Sequence, residues 1–203
     1  KLICVSPTHQ DPTGVSLPLS RRKKLLDFAE RTDCFIWEAD FDCQFRYASS
    51  PLPSLKGLDT YDRVIYSSAF WMSMGPMARL GFLVLPKRMV RVFELMMDVG
   101  GNDLSVLEQS ALQEFILDGQ WERVIHRTRA LYARKRQILI QSLAQQFGSR
   151  LSMPTESSAV HLLIKLELDV SSEMVLNAAK ECGITMKSTT DYYLSGAPRL
   201  EFM

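Results

Sequence analysis

The residue types most able to do chemistry are spread thinly along this chain, so their spacing decides what they can do. Four cysteines, Cys4, Cys34, Cys43 and Cys182, show no CxxC spacing, and three of them sit inside apolar stretches. That pattern points to buried free thiols in a reducing compartment and away from a zinc site, so no metal ligand is expected. Arg123, Arg127, Arg129, Arg134, Lys135 and Arg136 form a basic run that could meet nucleic-acid phosphates. Interspersed charges opposite an apolar stripe also describe a solvated helix face or a dimer edge. Of the ten methionines, Met72, Met74 and Met77 cluster. Such a cluster suits either an adaptable binding surface or a filled, dry pocket.

These residues must be positioned by regular elements, and the hydrophobic period says which. Leu2 to Val5 reads as a buried strand, followed by a turn-rich loop from Ser6 to Gly14. Ser20 is placed to cap a helix from about Arg21 to Arg31, with Leu25, Leu26, Phe28 and Ala29 on its apolar face. Phe35 to Glu38, Val64 to Ser67 and Leu80 to Leu85 read as three further strands, the last stopped by Pro86. Short apolar runs separated by a helix or a long loop predict an α/β sheet covered on both faces.

After Pro86 the period becomes helical. The longest stripe runs from Trp121 through Val124, Ile125, Leu131, Ile138 and Leu143 to Phe147 and ends at Gly148. A compact α+β unit is expected beyond it. It comprises a strand or hairpin through Ala159 to Leu166, a helix from about Ser172 to Cys182, and short strands near Ile184 to Lys187 and Arg199 to Phe202. The expected division is 1–118, a long connecting helix over 119–147, and 148–203.

The 203 residues are 46% hydrophobic and 23% charged with formal net charge +1. This balance does not call for a polyanion or a membrane surface. No apolar run approaches the roughly 18 residues that span a bilayer, and the N-terminus lacks a signal-peptide pattern. It begins without Met in mid-strand, which predicts a fragment of a longer protein, and the free thiols imply that this protein is cytoplasmic.

An α/β sheet binds ligands at the C-terminal ends of its strands, and the loops there carry a resemblance. Ser6-Pro-Thr-His-Gln-Asp-Pro-Thr-Gly14 resembles the TPSHQxPTG segment of MocR-type regulators, which fuse a GntR-type winged helix-turn-helix to a fold type I aminotransferase-like domain. Trp37-Glu-Ala-Asp-Phe-Asp-Cys-Gln-Phe-Arg-Tyr47 is similar to their EDDYDSEFRY segment. Ser67 to Phe82 is similar to GTFSKTLFPGLRLGY. Phe115 to Arg136 resembles their long Arg-rich helix, Ala159-Val-His-Leu-Leu their AGLHLLL, and Asp191-Tyr-Tyr-Leu with Arg199-Leu-Glu-Phe their closing pieces. The likeness covers the chain from end to end.

It implies part of a fold type I large domain, with its N-terminal half upstream, plus a small α+β domain. It also implies a pyridoxal phosphate cofactor, a homodimer, a small amino-acid-like effector, and DNA contacted through an upstream domain outside this chain. Aligned on Pro76 and Arg79, the Schiff-base lysine position holds Met72. The Asp that holds the pyridine nitrogen falls at Ala39, the Tyr on the ring hydroxyl at Phe41, and a phosphate-binding hydroxyl at Ala69. Arg79 matches the usual phosphate Arg, Arg199 the usual carboxylate clamp, and His9 lies in the loop beside the ring. Structural roles stay open for all three. Arg79 could serve a strand-end carbonyl, Asp40 or Asp42, Arg199 could be a surface residue on an edge strand, and His9 a loop hydrogen-bonder.

Without the lysine amine there is neither a Schiff base nor a base for proton transfer at that position. Without the carboxylate the pyridine is a weaker electron sink. The expectation is therefore an effector-sensing and dimerisation region with no covalently bound cofactor and no catalytic residue. The alternative is a pyridoxal-phosphate-dependent class I/II aminotransferase using another of its nine lysines. None of these lies within a few residues of position 72, and Lys87 and Lys187 fall on other elements.

Overall fold

The computed structural model describes residues 1–47, 51–75, 79–100, 104–153, 160–196 and 200–203. Four strands form the first sheet in the order β1 (Leu2–Val5), β2 (Phe35–Ala39), β3 (Val64–Ala69), β4 (Gly81–Val84). The first three are parallel, and β4 runs antiparallel to β3. Helix α1 (Leu19–Arg31) covers one face. Its buried positions Arg22, Leu26 and Ala29 recur at the four- and three-residue steps of one helix face. Leu26 and Ala29 pack with Ile36, Val64, Leu55 and Cys34 into the main core. A short turn of helix, α2 (Leu55–Leu58), supplies Leu55.

Helix α1 starts at Leu19 with Pro18 as its cap, so Ser20 lies inside the helix and makes no cap. The proline carbonyl takes over that role, accepting from the amides of Arg21 and Arg22. Gly81 opens β4 at a close approach, because a Cβ there would lie 2.9 Å from the Ser68 carbonyl oxygen. Only glycine brings β4 this near to β3.

Three helices follow: α3 (Trp71–Met74) immediately after β3, then α4 (Lys87–Gly100) and α5 (Val106–Leu117). Helix α6 (Gln120–Phe147) is 28 residues long, about 42 Å at 1.5 Å per residue. It runs from α3, which its start contacts, to the core of the C-terminal unit. Near its start Ile125 is buried, while Leu143 and Phe147 at its far end pack on Ile164, Leu166 and Phe202. Between them Leu131, Ile138 and Leu139 stay about half exposed. The stripe that makes this segment a helix is therefore not covered along its whole length.

The C-terminal unit holds a second, antiparallel sheet, β5 (Leu151–Ser152), β6 (Ile164–Leu166) and β7 (Glu201–Phe202), and helix α7 (Ser172–Glu181). Ser171 caps α7, its side chain accepting from the Met174 amide. The strand expected at Ile184 to Lys187 is reduced to an edge pairing, with Lys187 and Met203 exchanging backbone hydrogen bonds and Ser188 bridging Phe202. Ala159 and Arg199, the outer ends of two expected strands, lie outside the described residues.

The chain exposes 13618 Å², whereas a monomeric globular protein of 23.1 kDa exposes about 9,700 Å². Large apolar side chains contribute to the excess: Leu2, Trp37 and Leu83 on the sheet face opposite α1, and Val92, Leu95, Met96, Val106 and Leu107 on α4 and α5. Among the described residues no helix is long and apolar enough to cross a membrane.

Candidate ligand site

The C-terminal ends of β1, β2 and β3 gather the residues singled out in the sequence. Ala39 pairs with Ser67 across β2 and β3, and Ala69 lies one alternation further along. All three therefore project from the sheet face opposite α1. Phe41 is exposed just past β2. Arg79 is exposed and reaches the same edge from the other direction, because β4 begins at Gly81 opposite Ala69. Arg199 lies outside the described residues.

Met72 is half-buried in α3, one turn past β3. The Phe70 carbonyl starts this turn, accepting from the Ser73 and Met74 amides and, at 2.9 Å, from the Ser73 hydroxyl. The Ser73 hydroxyl in turn accepts from Trp121 Nε1 at 3.3 Å. The Phe70 ring packs at 5.7 Å from Phe82 and edge-on at 5.9 Å from Trp121. The segment carrying Met72 is thus tied to the start of α6.

His9 is buried, with Nδ1 2.9 Å from Asp42 Oδ1. This contact fixes the ring against the loop after β2. The hydroxyls nearest the strand ends are also engaged: Ser67 Oγ accepts from Trp37 Nε1 at 2.8 Å, and Ser68 Oγ donates to the Asp40 carbonyl at 2.6 Å. The four side chains Ala39, Phe41, Ala69 and Met72 offer no amine, carboxylate, phenol or hydroxyl at this edge. Among the described residues there is no group of three or more His, Cys, Asp or Glu able to hold a metal ion.

Beneath the site, on the α1 side, lie buried polar residues. Glu38 uses both carboxylate oxygens to accept from the Leu55 and Lys56 amides, each at 2.8 Å, and so caps α2. Burial raises its pKa, against the pull of those two hydrogen bonds. Asp40 accepts from Tyr66 OH at 3.0 Å, and the Cys43 thiol lies close to the same carboxylate. Burial first, and then the Asp40 charge, pushes the Cys43 thiol up to about 12 and raises the Tyr66 phenol as well. Neither is an activated nucleophile.

The cysteines therefore make a direct test. At pH 8 the Cys43 thiolate fraction is on the order of 10⁻⁴, against roughly a quarter for an ordinary thiol. Iodoacetamide should label the exposed Cys4 and Cys182 in the native chain, and Cys43 only after unfolding. Cys43 labelling as fast as Cys4 would contradict this geometry.

Two features of the site escaped the reading of the sequence. Arg22, fully buried, donates from Nε to the Leu17 carbonyl at 2.8 Å, from Nη1 to Pro53 at 2.9 Å and from Nη2 to Pro7 at 2.7 Å. It staples the base of the Ser6–Gly14 loop to α1 and to the segment before α2. The available signal was an Arg on the apolar stripe of α1, four residues before Leu26. The second feature is the contact between that loop's tip and the C-terminal unit, through His161 and Tyr192.

No protein-family model matches the chain. Known proteins do. The chain is 34% identical over 197 residues to the uncharacterised HTH-type transcriptional regulator YhdI of Bacillus subtilis, covering 97% of this chain and 42% of that protein. It is 28% identical over 199 residues to the probable rhizopine catabolism regulatory protein MocR of Rhizobium meliloti, covering 98% and 40%. Over nearly its whole length the chain is thus similar to part of HTH-type regulators that include MocR.

The fold of the chain is that of fold type I aminotransferases. Pyrococcus horikoshii kynurenine aminotransferase, solved in complex with PMP, superposes with a TM-score of 0.84 at 25% identity, covering 100% of this chain and 51% of that one. Thermus thermophilus LysN, complexed with N-(5'-phosphopyridoxyl)-L-leucine, superposes with a TM-score of 0.81 at 22% identity, covering 99% and 52%. The chain spans about two fifths of the length of the curated relatives it matches.

Proposed function

We propose that this chain is the effector-sensing and dimerisation region of a MocR-type bacterial transcription regulator, and that it holds no pyridoxal phosphate covalently. The observation that carries this reading is the strand-end quartet Ala39, Phe41, Ala69 and Met72. One lost polar group could be a tuned variant. Four at one edge remove the nucleophile, the ring-nitrogen partner, the ring-hydroxyl partner and a phosphate contact together. The residues present do not fit the covalent cofactor, and no catalytic step is assigned to it. The roles of Arg79 and His9 toward a small amino-acid-like effector belong to the same proposal. So do Arg199 as a carboxylate clamp and the division into 1–118, 119–147 and 148–203.

DNA would be contacted through a winged helix-turn-helix outside this chain, in the cytoplasm where the operator lies. Support comes from the relatives named as HTH-type regulators. A homodimer is supported by the uncovered apolar surface of the sheet, α4 and α5, since patches of that extent mark interaction sites.

The test is a thermal-shift screen of amino acids against the gene product that contains this chain, run beside an assay for amino-group transfer to 2-oxo acids. The expected result is a rise in Tm with one class of amino acid and no transfer above the buffer rate. Transfer that depends on added pyridoxal phosphate would establish the aminotransferase reading instead.

A further inference from the structure

We infer that His161 and Tyr192 are positioning residues that latch the tip of the Ser6–Gly14 loop to the C-terminal unit, so that the loop carrying His9 moves with that unit. Three segments that are far apart in sequence meet here. His161 Nε2 lies 2.9 Å from the Pro12 carbonyl oxygen in a part-buried contact. A carbonyl only accepts, so Nε2 carries the proton. Tyr192 OH donates to Asp11 Oδ2 at 2.9 Å, and Lys187 Nζ donates to Tyr192 OH at 3.2 Å. Two adjacent loop residues are thus gripped by side chains 149 and 181 positions away.

The loop has two separate anchors. Its base is held to the α/β unit by Arg22 on the Pro7 and Leu17 carbonyls, and by the Leu17 amide donating to Pro7 at 2.8 Å. Its tip carries the turn bonds from the Gln10 amide to the Val15 carbonyl and from the Gly14 amide to the Gln10 carbonyl. Among the described residues, it is the tip that meets the C-terminal unit, through His161 and Tyr192. His9, against Asp42, lies between the two anchors. A shift of the C-terminal unit would therefore pull on the tip and bear on His9, while Arg22 keeps the base in place. This mechanical link does not depend on whether the site binds an effector or does chemistry.

Hydrogen exchange on the ligand-free chain, resolved to single amides, tests it. In His161→Ala the Gln10 and Gly14 amides should exchange about three- to tenfold faster, the loss of one part-buried hydrogen bond, while Leu17 and the β2–β3 amides keep their rates. Tyr192→Phe, which removes a more exposed bond, should accelerate the same two amides about twofold. His161→Gln keeps an N–H donor at similar reach and should restore most of the protection, a rescue that a merely space-filling role would not give. Unchanged Gln10 and Gly14 rates in both His161→Ala and Tyr192→Phe would overturn the latch. So would an acceleration spread equally over Leu17 and the sheet.

Discussion

Incubated with pyridoxal phosphate and reduced with borohydride, this chain will carry no adduct at position 72, and Met72→Lys alone will not give amino-group transfer. Methionine has no amine, so the covalent step is closed at that position whatever surrounds it. A lysine introduced there would supply the nucleophile, and its half-buried setting in α3 would tend to lower its pKa, which helps attack. On the proposed alignment two partners of the ring would still be missing. Ala39 and Phe41 leave the ring nitrogen and hydroxyl unpaired, and a charge-assisted hydrogen bond of about 1.5–3 kcal/mol is missing at the nitrogen alone. Positioned proton transfer is worth roughly 10²–10⁴-fold, but only if the reacting carbon stays within reach of the base.

The single variant should therefore trap at most a trace of cofactor and turn over no amino acid. Met72→Lys combined with Ala39→Asp, Phe41→Tyr and Ala69→Ser should trap more. Mass spectrometry after borohydride reduction reads both. A stoichiometric adduct on one lysine of the unmodified chain, coupled to turnover, would show that the site has moved and is not lost.

The parts of the fold and site that local pattern can encode were legible. The change of period at Pro86 separates sheet from helices, and the stripe from Trp121 to Phe147 is one helix. Short apolar runs marked β1, β2 and β3, and the loops after them do hold the family-like segments. Long-range facts were not legible. The periodicity of Leu131, Ile138 and Leu139 specifies a helix face, yet it does not say whether anything in the chain covers that face. The antiparallel direction of β4 depends on the chain turning back between Ala69 and Gly81, and no local period records it. His161 stood in a recognisable motif, but its partner is a backbone carbonyl 149 residues away, and a carbonyl leaves no mark on residue type.

Arg22 marks the sharpest gap between pattern and structure, and replacing it should cost the fold about 2–6 kcal/mol, the cost of leaving two buried carbonyls without their donors. Read as a helix position, it looks like one more surface arginine beside Arg21, Lys23 and Lys24. In the structure its guanidinium is fully buried among the Leu17, Pro53 and Pro7 carbonyls. Burial lowers its pKa, and the nearby Glu38 and Asp40 charges oppose that shift. In Arg22→Met the Pro7 carbonyl keeps the Leu17 amide as a donor, but the Leu17 and Pro53 carbonyls lose the donors described here. Each such orphaned group costs about 1–3 kcal/mol, and buried Glu38 loses a neighbouring positive charge besides. Against a typical total of about 5–15 kcal/mol, that is enough to move a urea midpoint clearly. Arg22→Lys keeps the charge, but one ammonium cannot span three divergent carbonyls, so it should fall between the two. The loop carrying His9 should loosen in step, because its base is what Arg22 holds. A urea midpoint shift in Arg22→Met equivalent to less than about 1 kcal/mol would show that the three short contacts contribute nothing net, and that the loop is fixed by some other contact.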